Sequence, residues 1–401
     1  MKRLVFVLIQ LWLSISCGIK ELSVAENPVK DGVWVSTEVS SEAESVQPCI
    51  VTAFSYPESF NWHDGDISKV KTSLVVFKDG VPLMRLAVGD GYQVSHDPDR
   101  HRFLGGHLYT DYPGNGEMVI KRDGSVILRY KGSERIVGMV VENGHIYTLG
   151  VPSHGEGFVF RKDGEPMVTK HTGKVFERLE KDEDKICFAY KTTVMTEEGE
   201  ESRYYMVRDG DEKLISLPQH MNDLMDVVSH SGGTCCIISS PVSSSPYYYR
   251  DGTLRPLDIP KSSRLLYASF VEGTYPEPWI EGVYESPEGR PVCVLWIQGD
   301  EYMSIDNGLS VSYACSSESG FGCVMNPLSE SAPGLLITNR MTDVMPEGYR
   351  CMGPRPMVMS GDKMYAGLSS TEGKRPLIWV NGYLDTLNIN GHISTVSIMS
   401  P

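Results

Sequence analysis

The sequence predicts an all-β protein, a β-propeller of four-stranded blades. Three observations predict it: a hairpin phrase recurring at a near-constant period, a second hairpin upstream of each copy, and no helix-length apolar period.

The phrase is clearest at Gly157 to Val168, Gly-Phe-Val-Phe-Arg-Lys-Asp-Gly-Glu-Pro-Met-Val. Asp-Gly supplies the positive φ that a two-residue hairpin turn requires. The phrase returns with its glycine at Gly80, Gly124, Gly164, Gly210, Gly252, Gly299 and Gly382, in steps of 44, 40, 46, 42, 47 and 83 residues. The last step is nearly double the others. Leu335-Leu336-Ile337-Thr338-Asn339-Arg340 lies where a copy is missing. With that worn copy the period is about 43 residues, one propeller blade, and the count is eight. If it is only an insertion, the count is seven. A tandem of ordinary β-sandwiches is the alternative, but a single supersecondary unit per fixed repeat suits blades that bury their faces only against neighbours.

Each phrase is preceded by another hairpin. Ile136 to Val141, the turn Glu142-Asn143-Gly144 and His145 to Gly150 show it best, with relatives at Lys185 to Tyr190, Thr234 to Ile238 and Lys363 to Gly367. Four short strands per repeat leave almost no room for helix.

The chain opens with Lys2 and Arg3, an apolar run from Leu4 to Ile15, and small residues before Cys17. This is the order of an export signal, and the run is short for a membrane-spanning helix. We read 1–16 as a lipoprotein signal peptide, Cys17 as the lipidated residue, 17–32 as a tether and 33–401 as one propeller domain. Several acyl chains on Cys17 hold a protein on a membrane where one alone does not. Without Lys2 and Arg3 the chain carries 35 basic and 52 acidic residues, a formal charge of −17. That balance argues against nucleic acid and leaves the lipid anchor as the only membrane contact.

Eight cysteines follow Cys17. Most fall in strands where other repeats place Val, Tyr, Ala or Met, the pattern of cysteine as a small buried hydrophobe. Cys315 and Cys323 flank a turn, and a disulfide between them is the one bridge the sequence suggests. Zinc spacing is absent.

Ile393 to Ile398 reads as the first strand of a repeat with nothing after it, whereas the first repeat lacks such a strand. The C-terminal strand is therefore expected to complete blade 1 and close the ring.

Short Asp-Gly and Asn-Gly turns belong on one face and the longer connections on the other, where binding residues concentrate. Aromatic residues assigned to those connections, Trp62, Tyr92, Tyr112, Tyr247 and Tyr275, are the candidate ligand contacts, since aromatic rings suit sugars and peptides. Trp296 and Trp379 occupy equivalent strand positions and read as packing between blades, as does Tyr248 or Tyr249. His96, Asp97, Asp99 and His101, with His63, Asp64 and Asp66, match no calcium or zinc spacing, and their Asp-Pro and Asp-Gly pairs are turn chemistry. No metal or cofactor is expected. Nucleophile elbow, zinc-protease helix, P-loop and dinucleotide fingerprint are all absent.

Strands ending in an aromatic, then a basic residue and Asn-Gly or Asp-Gly, resemble the propeller repeats of exported Bacteroidetes proteins. That family's better-preserved form reads near Tyr-Trp-Lys-Asn-Gly, and Ile378-Trp379-Val380-Asn381-Gly382 is the nearest copy. The resemblance covers roughly 45–399. It implies a propeller and residence in the cell envelope, and it carries over no site residues.

The reading is an outer-membrane lipoprotein, on the periplasmic side or the cell surface, that binds a glycan or another envelope protein through its long-loop face. Two alternatives stand beside it: a glycan-active enzyme using carboxylates from different blades, and a scaffold subunit of an envelope complex.

Overall fold

Eight sheets arranged as the blades of a propeller make up the computed structural model. It describes residues 48–60, 70–89, 97–152, 156–197, 199–218, 221, 223–239, 246–273, 277–305, 309–317, 319–327, 334–370 and 372–399. Blade 3 shows the plan: Arg135–Glu142 innermost, then His145–Val151, Phe158–Lys162 and Glu165–Lys170 outermost, all antiparallel. Blade 2 occupies 101–131, blade 4 174–214, blade 5 223–256, blade 6 264–305, blade 7 309–344 and blade 8 349–386. The worn copy, Leu335–Thr338, is the third strand of blade 7. The only helical element among the described residues is one 3-10 turn, Pro98–Arg100.

Blade 1 closes the ring. Its outer strands are Cys49–Ser55, Thr72–Lys78 and Val81–Val88, and its innermost strand is Gly391–Ile398 from the other end of the chain. Cys49 pairs with Ile398 and Ser55 with Gly391, with one bulge at Thr52/Ala53. Across the seam the Thr52 and Thr395 hydroxyls lie 2.6 Å apart, and Asn390 Nδ2 donates to Pro57 O at 2.8 Å. The expected closure is what the strands do.

The turns explain the recurring phrase. The residue before each glycine, from Asp79 to Asn381, has φ between 40° and 53°, and the glycine itself lies between 77° and 100°. Two successive left-handed residues define the turn whose twist matches paired strands, and Asp, Asn and Gly tolerate it best. The aspartate does more than turn. Asp163 N–H donates to Ile146 O at 2.8 Å while Asp163 Oδ1 accepts from Ile146 N–H at 2.9 Å. Asp79 with Cys49, Asp123 with Leu108 and Asp209 with Ile186 repeat the clamp, and Asn381 Oδ1 accepts from Met364 N–H. In blade 7, Thr338 Oγ1 instead accepts from Arg340 and Met341 N–H, so that turn dispenses with glycine.

Apolar side chains fill the spaces between blades in eight clusters, one for each neighbouring pair around the ring. Trp296 lies between blades 5 and 6 and Trp379 between blades 7 and 8, both fully buried, with indole N–H groups donating to Asp258 O and Asp343 Oδ2. Tyr248 also packs between blades 5 and 6. All eight described cysteines are buried inside these clusters and none is in a disulfide. The expected Cys315–Cys323 bridge is corrected. Ala314, not Cys315, opposes Cys323, so the two thiols leave opposite faces of the sheet, Cys315 toward blade 8 and Cys323 toward blade 6.

Candidate functional site

Strand alternation sorts the connections by face. First-to-second and third-to-fourth strand turns share one face, and second-to-third strand and blade-to-blade connections share the other. Cys49 begins a second strand, so the described chain starts, at Pro48, on the hairpin-turn face. Two expectations change here. Phe270 and Trp279, which flank Tyr275, end a first strand and begin a second, so that connection leaves on the hairpin-turn face, away from the other candidates. Tyr112 is not in a loop: His107–Gly114 runs straight into the tight turn Asn115-Gly116 and back along Glu117–Arg122.

The two described candidates stand on different blades. Tyr112, 39% exposed, stands at the long-loop end of its strand in blade 2 and lies over Gly114. Tyr247 begins the third strand of blade 5, with blades 3 and 4 between it and Tyr112. Trp62, Tyr92 and Cys17 lie outside the described residues, as does Tyr275 itself. Asp97 is paired with Arg100 at 3.1 Å, and among the described residues no group of three or more His, Cys, Asp or Glu can hold a metal.

A groove of about 780 Å³ opens instead between blades 4 and 5 on the long-loop face. Blade 4 builds it. Its second and third strands, Lys185–Thr196 and Gly199–Arg208, are 12 and 10 residues long, against four for the outer strand Asp211–Leu214. Beyond Lys191 and Tyr204 the two long strands continue as a two-stranded arm, paired from Thr192↔Arg203 to Thr196↔Gly199. The groove lies beside this arm, over Leu214, Ile215 and Leu217.

Polar groups at its base are fixed. Tyr204, 1% exposed, donates its hydroxyl to Asp223 Oδ1 at 3.2 Å and accepts from Leu224 N–H at 3.1 Å. Lys191 Nζ stands 3.7 Å from the same carboxylate oxygen and 5.5 Å from the Tyr204 ring centre. Arg203 pairs with Glu201 at 3.2 Å. Glu200 has no ion-pair partner among the described residues. From blade 5, Tyr249 donates to Ser216 O in the groove wall at 3.2 Å. Tyr247, two residues earlier on the same face of that strand, is not among the residues that line the groove. The site thus combines apolar and charged side chains.

A second cavity, about 440 Å³, lies by the inner strands of blades 4 to 6 beside Arg178, Asp226, Tyr267 and Ser269. Its charges are occupied in joining blades. Asp226 Oδ2 accepts from Ser269 Oγ at 2.6 Å and Phe270 N–H at 2.8 Å, while Arg178 Nη2 donates to Phe270 O at 2.8 Å. Glu180 Oε1 accepts from Ser229 N–H at 2.7 Å, and Asp182 Oδ2 accepts from the Ser229 hydroxyl. Burial pushes the Glu180 carboxyl up to about 7, offset in part by Arg178.

Sequence reasoning missed the groove. The available signal was the polar, β-branched run Lys191 to Thr196 followed by Gly199 to Arg203, where other repeats break into a connection. Asp223 and Leu217 carried none, since their roles depend on blade 5 standing beside the arm.

No family model and no curated protein matches the chain. Among solved structures it is similar to apo AztD from Citrobacter koseri, at 10% identity, 87% of this chain and 97% of that one, TM-score 0.45. It is similar to the β-propeller domain of the Trilobed protease from Pyrococcus furiosus, at 10% identity, 74% and 91% coverage, TM-score 0.44. Dihydro-heme d1 dehydrogenase NirN, in complex with DHE, gives 12% identity, 86% and 75% coverage, TM-score 0.49.

Proposed function

We propose that this propeller is an exported, lipid-anchored envelope protein that binds a glycan or a protein partner through its long-loop face, without catalysing a reaction. The groove beside the blade 4 arm carries the reading: it joins an apolar floor to charged groups held by Tyr204 and Asp223, the usual make-up of a binding site. Placement supports it. The described chain begins at Pro48 on the hairpin-turn face, opposite the groove, which suits a tether running to a lipid on Cys17. The export signal and the resemblance to Bacteroidetes repeats support the outer-membrane location. The carboxylates of the second cavity accept hydrogen bonds from neighbouring blades, which favours a binder over a glycan-cleaving enzyme.

The test is parallel capture from detergent-solubilised envelope and on a glycan array, using the anchored chain and its Leu217→Arg variant. The wild type retains a ligand that the variant, folded to the same melting temperature, retains at least tenfold less. Equal capture by both moves the site off the groove.

A further inference from the structure

The third strand of blade 4 is longer than its outer neighbour, and this leaves a strand-shaped slot. Asp211–Leu214 pairs only with 205–208, from Tyr205↔Leu214 to Arg208↔Asp211. Ile215 N–H adds one bond to Tyr204 O at 2.8 Å, after which the chain turns off to form the groove floor. Among the described residues nothing pairs with 199–203 on that side. Tyr204 therefore turns its backbone groups outward, and strand alternation turns those of Ser202 and Glu200 the same way. Arg203 and Glu201 face the other strand of the arm, opposite Thr192 and Val194. The open edge is about five residues long, roughly 17 Å at about 3.4 Å per residue.

We propose that the groove takes an extended, basic polypeptide segment, which adds as a strand to the 199–203 edge. This inference rests on the groove reading above and names its ligand class. Unpaired edge groups are a template for another strand unless something blocks them, and no proline or inward-pointing lysine does so here. The ligand's alternate side chains would rest on Leu214, Ile215 and Leu217. Charge selects among extended peptides. Lys191 and Arg203 are already balanced by Asp223 and Glu201, which leaves Glu200 as the uncompensated charge on the edge of a chain whose net charge is −15. A lysine or arginine of the ligand completes that pair.

The probe is a seven-residue peptide of alternating lysine and valine, titrated into the folded chain by calorimetry. It binds the wild type, and a glutamate-for-lysine counterpart binds at least tenfold more weakly. Methylating the amide nitrogens of one alternate set weakens binding at least tenfold, while methylating the other set leaves it within about twofold, because a strand shows only half its amides to a neighbour. Ser202→Pro removes an outward N–H without touching the arm's own ladder and weakens binding about tenfold, the order of one lost hydrogen bond with its neighbours. Glu200→Lys abolishes the preference for lysine. Equal tolerance of both methylated sets overturns strand addition. So does failure of the lysine peptide to bind while Leu217→Arg still loses an envelope or glycan ligand, and in that case the groove reading survives. A concentration-dependent dimer that Ser202→Pro returns to monomer also overturns it, since the occupant is then a second copy.

Discussion

Two half-buried titratable residues give the ring opposite responses to pH. Glu180, on the inner edge of blade 4, is held up to about 7 by burial, against an ordinary value near 4.5. The folded state therefore keeps a proton that the unfolded chain releases, and its contribution is largest below about 4.5 and lost as pH rises through about 7. Glu180→Gln keeps the acceptor for Ser229 N–H and removes the slope: the variant melts higher than wild type at pH 8, and the two converge near pH 4.5. His392 behaves the other way. It sits in the closing strand against Phe54, with Nδ1 2.9 Å from the Tyr56 hydroxyl, and burial pushes it down to about 4. Its contribution is present above about 6.5 and lost as pH falls through about 4, so His392→Gln flattens the acid limb. Melting temperatures of both variants from pH 4 to 8 check the pair.

The aspartate clamp belongs to the hairpin element. Asp163 makes two hydrogen bonds to Ile146 and lies 2.6 Å from His145 Nδ1, while its side chain stays 45% exposed. Asp163→Ala leaves the turn with a residue that tolerates positive φ less well and removes one acceptor. The expected loss is about 1–2 kcal/mol, measured by denaturant unfolding. Asp163→Asn, which keeps both the conformation and the acceptor as Asn381 does in blade 8, costs less than half of that. The phrase was legible in the sequence because it is local: turn, spacing and flanking strands all fall within twelve residues. The blade 4 arm was harder to read, since its one local signal was the polar, β-branched run Lys191 to Thr196. Only pairing shows that its strands outrun their outer neighbour.

At the scale of the whole molecule, blade count and closure were readable because each repeat must bury two faces, and the orphan strand Gly391–Ile398 had only blade 1 to join. Deleting residues 391–398 removes Ile393 and Val396 from the cluster between blades 8 and 1 and opens both edges of the seam. The expected outcome is loss of the single cooperative transition, followed by circular dichroism against denaturant; an unchanged transition contradicts closure. The site was less legible. The candidate aromatics were read from the longer connections; Tyr112 and Tyr247 stand on blades 2 and 5, and the connection carrying Tyr275 leaves on the other face. The charged, half-apolar groove arises from two blades that meet only in three dimensions.

The most direct test of the binding face is photocrosslinking in intact cells, with a benzophenone side chain placed at position 217 in the groove or at position 383. Tyr383, 80% exposed, follows the Asn381-Gly382 turn on the opposite rim. The account predicts a discrete ligand adduct from position 217 and none from position 383. An adduct from 383 alone would contradict it and place recognition on the hairpin-turn face.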